Sequence, residues 1–260
     1  MLKAVLVLKL RHINKKWRNG VKGRPIELTE FRQLITKNTP RNDEYALLKV
    51  MPLYLASMAG LRELEIALLP TRAFINVSGT LNELVDIHES IAHKGKPRTV
   101  IIIPELQRLI EQYIDLLKKS GLNTHPSDTF QGLAPDSVFI LSESFDPYKI
   151  QSRGNTSRTE RLVSQQLNLH MDSLIKNAGL NDVGITRKSL LRRFVIELFL
   201  SEISPKDIAY ISGLGESSVA QALMMNTGQY DPLFNHFKDR DKRKEQTKKR
   251  NMQKRKWLLE

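Results

Sequence analysis

The stretch from Ala59 to Leu69, "AGLRELEIALL", decides how the rest of the chain is read. It closes a longer apolar-periodic run, "NDEYALLKVMPLYLASMAGLRELEIALLP". Proline has no N–H to donate, and glycine loses the most backbone entropy inside a helix. Pro52 and Gly60 therefore predict two helices, or one helix broken near Gly60. Arg62 falls at the start of the second piece, with Glu63 and Glu65 within a turn of it. Its plainest role is a helix-surface ion pair with one of those carboxylates.

Working outward, residues Met1 to Arg24 form a basic lead-in with room for a short strand or helix. "LTEFRQLITKN" predicts a helix capped by Thr29. After Leu69 come three short runs rich in β-branched residues, "RAFINV", "ELVDIHES" and "RTVIIIP", separated by the turns "SGTLN" and "HKGKP". They predict a small antiparallel sheet of two or three strands. "ELQRLIEQYIDLLKKSG" is amphipathic, with Leu106, Leu109, Ile110, Tyr113, Leu116 and Leu117 on one face and Gly121 as its stop. "NTHPSDTFQGLAPDS" reads as loop, "VFILSES" as a short strand and "FDPYKIQSRGNTSR" as loop again. "TERLVSQQLNLHMDSLIKNAG" and "TRKSLLRRFVIELFLSE" read as helices, the second with one basic and one apolar face. "SPKDIAYISG" starts with a Ser204 cap and Pro205 in the first turn, and stops at Gly213. "ESSVAQALMM" is a last short helix before a basic tail. The predicted class is mainly α with a small antiparallel β-sheet (α+β).

Composition narrows the partner. The chain has 260 residues, Lys+Arg 41 against Asp+Glu 28, and a net charge of +13. Such an excess favours a polyanion. Part of it lies in the tail "KDRDKRKEQTKKRNMQKRKW", but "RHINKKWRNGVKGR" and "TRKSLLRRF" are basic too. Three separated basic segments suit a folded surface along a phosphate backbone better than a tail alone does. Absence of cysteine excludes disulfides, thiolate metal sites and cysteine nucleophiles. The histidines show no HExxH or other metal spacing, so no metal and no cofactor is expected. "GITRKS" lacks the Gly-Lys of a Walker loop, and no GxSxG elbow is present. No apolar run is long enough to span a bilayer, and "MLKAVLVLKLRH" lacks a signal cleavage site.

In order along the chain, "AGLRELEIAL", "KGKPRTVIIIP", "SLLRRF" and "GLGESS" resemble the boxes of the tyrosine recombinase (phage integrase) catalytic domain. The resemblance runs from about Ile26 to Met225. It implies three parts: a basic lead-in over residues 1–25, an integrase-like catalytic domain over 26–230, and a basic helix or tail over 231–260. Too few residues precede it for the amino-terminal clamping domain common in the family, since a domain needs at least about 50. The partner it implies is double-stranded DNA, together with other recombinase subunits or further copies of the chain. The implied setting is cytoplasmic and nucleoid-associated, with no membrane.

In such an enzyme a tyrosine oxygen attacks a DNA phosphate and holds it as an ester. Two arginines fork onto the non-bridging oxygens, and a lysine or histidine protonates the leaving sugar oxygen. Carried onto this sequence, the resemblance makes Arg62 the first arginine and Arg192 the second, with Arg193 as a shifted alternative. Lys94 or Lys96 is the hairpin lysine. Ser189 takes the place of a histidine, with Lys188 able to shift into that role. Arg98, Arg187, Lys188, Ser189, Arg193 and Lys96 are expected to contact DNA. Two positions depart from the pattern. Glu216 stands where a histidine faces the phosphate, and a carboxylate there repels it unless protonated. Counting on from Glu216 at the family's spacing reaches Met225, which cannot attack phosphorus. Tyr230 lies further on and is the displaced-nucleophile candidate, though "YDPLF" also reads as packing; Tyr210 reads as a packing residue inside its helix. The expected function is DNA binding in recombination or integration with impaired or absent strand cleavage. The alternatives are an active recombinase using Tyr230 and a helix-turn-helix regulator built on "SPKDIAYISGLGESSVAQALM".

Overall fold

The structure is a computed structural model, and it describes residues 22–154, 161–225, 244–249 and 252. The chain divides into two compact units, residues 1–223 and 224–260. In the second, residues 244–249 are helical and exposed. The first contains helices α1 (Leu28–Asn38), α2 (Ala46–Met58), α3 (Glu63–Leu68) and α4 (Thr71–Phe74). The hairpin β1 (Leu84–Ile87) and β2 (Arg98–Ile101) follows, then α5 (Pro104–Lys119). A second hairpin, β3 (Gln151–Arg153) and β4 (Arg161–Val163), leads into α6 (Gln165–Asn177) and α7 (Arg187–Leu200). The segment ends with α8 (Pro205–Ser212) and α9 (Glu216–Met225).

Helix α2 is the centre of the packing. Leu48, Val50, Met51, Leu53 and Leu55 are all buried, so it is apolar almost all round. It packs against α5 and α7, with α1, α3 and α6 completing its surroundings. The aromatic part of the core stacks Phe74 on Phe139 at 4.5 Å, with Tyr113 edge-on to Phe139. The buried Tyr113 hydroxyl accepts the Leu141 N–H at 3.1 Å, which satisfies its polar end. Val195, Ile208, Ala209, Val219 and Ala222 form a smaller cluster that holds α7, α8 and α9 together.

The break in "AGLRELEIALL" falls where expected. Gly60 adopts φ +65°, and a Cβ there would stand 2.3 Å from the Phe194 ring. Both the left-handed backbone and the ring demand glycine. This contact presses the α2–α3 turn onto α7. At the far end, Ser204 caps α8 by accepting the Asp207 N–H, and Gly213 ends it at φ +62°.

Several local expectations are corrected. The cap of α1 is Glu27, not Thr29: the Glu30 carboxylate reaches back to the Glu27 N–H at 3.0 Å and also pairs with the buried Arg24. "RAFINV" is a helical turn followed by a single bridge from Ile75 to Leu81. "VFILSES" makes only isolated bridges, Val138 to Pro70 and Leu141 to Pro147. The loop expected at "FDPYKIQSRGNTSR" contains β3, and β4 occupies part of the helix expected after it. The sheet expected between α3 and α5 is the two-stranded β1–β2 hairpin, in the register Leu84 to Ile101 and Ile87 to Arg98.

Inside the first unit, Arg98 and Glu65 are paired with side chains 2% and 1% exposed. The guanidinium grips both carboxylate oxygens, one of them at 2.8 Å. Removing one partner strands the other charge in the interior, so Glu65→Leu or Arg98→Met alone is expected to cost about 3–5 kcal/mol. The double replacement is expected to cost much less than the sum of the two. Chemical denaturation of the three variants checks this, and additive losses would count against a coupled pair. Gly60→Ala is expected to destabilise by about 1–3 kcal/mol through the Phe194 clash, in the same assay.

Candidate functional site

Arg62 is set at the mouth of α3 by its backbone. Its N–H donates to Glu65 Oε2 at 2.8 Å, which fixes the helix start. Its guanidinium does not take the carboxylate; Glu65 is already committed to Arg98. Instead one terminal nitrogen donates to the Gly213 carbonyl at 3.0 Å, at the turn between α8 and α9. The Nε is buried without a hydrogen-bond acceptor. Burial pushes the Arg62 pKa down, Glu65 pulls it up, and the positive charge of Arg98 pushes it down again. An arginine so placed stays charged.

Arg192 approaches the same segment from α7. It donates to the Gly23 carbonyl and, at 2.9 Å, to Gln221 Oε1 on α9. Burial also pushes its pKa down. Arg62 and Arg192 thus reach one turn-and-helix segment, Gly213 to Gln221, from two different elements. Gln221 was not singled out in the sequence. A glutamine within "GLGESSVAQ" carries no motif, and only the fold brings it to Arg192.

The remaining basic residues of α7 do not share one face. Arg187 donates to Asp172 at 3.0 Å, to Glu63 at 2.7 Å and to Asn168 at 2.6 Å, joining α7, α3 and α6. Arg193 donates to Glu197 and lies over the Phe31 ring, 5.8 Å from its centroid. Lys188 is exposed and shares its face, one helical turn apart, with Arg192. Ser189, expected at the DNA, is fully buried; its Oγ accepts the Thr186 N–H at 3.0 Å and serves the helix start.

Arg98 is also corrected. It lies inside, not on the surface. Beyond Glu65 it donates to the Gly60 carbonyl at 3.0 Å and the Ile211 carbonyl at 3.1 Å. Its guanidinium is spent on the interior. Lys96 is exposed at the end of the β1–β2 connection, and Lys94 lies in the 3₁₀ turn His93–Gly95 of that same connection. Glu216 opens α9 and is exposed, and Met225 is the last residue of that helix. Tyr230 lies outside the described residues. Tyr210, expected to pack, is 68% exposed, the one exposed tyrosine among the described residues.

The sequence matches no family model and no curated protein. The fold does match solved structures. A XerA recombinase crystal structure aligns at a TM-score of 0.52 and 15% identity, over 82% of this chain and 62% of that one. The chain has the fold of a tyrosine recombinase catalytic domain. A Tn1549 transposon integrase in complex with transposon right end DNA aligns at 0.48 and 12% identity, over 79% of this chain and 62% of that one. The integrase of mycobacterium phage Brujita aligns at 0.42 and 12% identity, over 76% and 52%. The chain therefore spans about 62% of the length of XerA. Arg62 is the residue before α3, and Arg192 lies on α7.

The Arg187 network is a partly exposed joint between three helices. Arg187→Ala is expected to lower stability by about 0.5–1.5 kcal/mol, since exposed pairs contribute little individually. A double-mutant cycle with Glu63→Gln, read by thermal melting, is expected to give a coupling below about 1 kcal/mol. A much larger coupling would mean that the joint is drier than its exposure indicates.

Proposed function

We propose that this chain binds duplex DNA and acts in site-specific recombination or integration, with strand cleavage impaired or absent. The observation that carries the reading is Arg62. On a recombinase-type fold it is an arginine with a buried, unpaired Nε, tied to the same segment that Arg192 reaches. A DNA phosphate offers oxygens that accept from such a pair of forks. The net charge of +13 supports a polyanionic partner, and Lys188 and Lys96 add exposed cations. The match to a recombinase supports the process. Other recombinase subunits, or further copies of this chain, are the partners that fit it.

Loss of chemistry is supported by two residues on α9. Met225 offers no nucleophile where the resemblance calls for tyrosine. Glu216 brings negative charge where a donor belongs. Losing one general acid–base group costs about 10²–10⁴ in rate, and an absent nucleophile has no partial substitute.

Binding is tested by titrating a labelled duplex at several salt concentrations. Each phosphate neutralised contributes about −0.9 to the slope of log K against log salt, so a steep negative slope is expected. A slope near zero overturns the reading. Arg62→Ala is expected to weaken binding by about 1.5–3 kcal/mol, the worth of one charge-assisted contact. Cleavage is tested with nicked suicide substrates on denaturing gels, where no covalent adduct is expected. A shifted band that disappears in Tyr230→Phe makes the protein an active recombinase with a displaced tyrosine. One that persists in Tyr230→Phe directs attention to the exposed Tyr210.

A further inference from the structure

The register of the second hairpin sets Arg153 directly opposite Arg161. Directly opposed residues of an antiparallel pair stand about 4.5–5.5 Å apart at Cα, and like charges so placed repel. The ribbon has no buried face to offset this: Gln151, Ser152, Arg153, Arg161 and Leu162 are all exposed. A two-stranded hairpin is marginal in water by itself. Here its root is fixed instead. The Lys149 N–H donates to Gln166 Oε1 at 3.0 Å, and the Ser164 hydroxyl donates to the Lys149 carbonyl at 3.4 Å. Tyr148 and Ser164, which flank the two strands, are buried. Strand β4 lies against α3, the helix that begins immediately after Arg62. An exposed ribbon with a doubled positive charge thus rises from a rigid base beside the arginine site.

We infer that the β3–β4 ribbon is a second DNA contact, seating Arg153 and Arg161 on backbone phosphates that flank the one met by Arg62. The inference rests on the DNA-binding reading above. Two forked guanidiniums need two closely spaced anions, and duplex DNA carries a charge about every 1.7 Å along its axis. A two-stranded ribbon also fits the major groove, which is about 12 Å wide. Phosphates relieve the cross-strand repulsion, so the pair is a cost in the free protein and an asset on DNA.

The test uses the full chain with a fluorescein-labelled mixed-sequence duplex several helical turns long, titrated at several salt concentrations. Arg153→Ala/Arg161→Ala is expected to make the log K against log salt slope less negative by about 1.8, two contacts' worth. The melting temperature of this variant is expected to be unchanged or higher, because a repulsion has been removed. Arg153→Lys/Arg161→Lys, which keeps both charges, is expected to restore the slope. An unchanged slope in the alanine variant overturns the ribbon contact and leaves the DNA reading standing. A reduced slope that lysine does not restore, or one accompanied by a lower melting temperature, overturns it as a structural effect. If the parent protein does not bind the duplex at low salt, the DNA reading itself fails and the ribbon contact fails with it.

Discussion

The ion pair between Glu65 and Arg98 is buried where water cannot screen it, and the arrangement around Arg62 hangs from it. Arg98 arrives from the first strand position of β2 and meets a carboxylate from α3. Its other donors reach Gly60 in the α2–α3 turn and Ile211 at the end of α8. One side chain therefore ties three separate pieces of chain to the β1–β2 hairpin. The close approach extends to Gly213, whose missing Cβ would stand 3.2 Å from the Arg98 side chain. Buried pairs of this kind are weak sources of net stability, because desolvation offsets much of the attraction. Their value here is positional. The pair consumes Glu65, and so leaves the Arg62 guanidinium to the Gly213 carbonyl.

That division of labour separates two arginines that would be hard to tell apart by charge alone. Arg98 is neutralised completely and meets only protein. Arg62 is largely buried, feels the repulsion of Arg98, and keeps one donor unmatched. Unmatched buried donors are unfavourable in the free protein, and sites that bind or transform a ligand are where such a cost is tolerated. Arg192 donates to a backbone carbonyl on one side and to a neutral amide on the other. The Arg62 guanidinium has no protein carboxylate among the hydrogen bonds described. Arg187 and Arg193 differ in this respect, since each meets acidic side chains.

Much of the fold was legible because long amphipathic helices announce themselves. The period of Leu106, Ile110, Tyr113 and Leu117 marks α5, and the Ser204, Pro205 and Gly213 signals bracket α8 closely. The misreadings concern short elements whose state is decided by distant packing. "RAFINV" looks extended by its β-branched residues, but Phe74 must turn inward to stack on Phe139. The second hairpin escaped because its strands are polar and exposed, with no alternation to show. In the candidate site, local motifs singled out Arg62 and Arg192. The interior role of Arg98 could not. Its carboxylate partner lies 33 residues away in sequence, and nothing in "KGKPRTV" distinguishes a buried arginine from a surface one.

The bonds that hold the two arginines also have consequences for how the chain folds. Arg62 reaches Gly213 across 151 positions, Arg192 reaches Gly23 across 169, and Arg98 reaches Ile211 across 113. Contacts this remote in sequence must bear the loop-closure entropy before they return anything, so they form late. A chain growing from the ribosome can complete α2, the first hairpin and the Glu65–Arg98 pair while the segment that receives Arg62 is still unsynthesised. The setting of Arg62 and Arg192 is then the last part of the unit to assemble. A nascent or carboxy-terminally shortened chain would carry a formed scaffold without it.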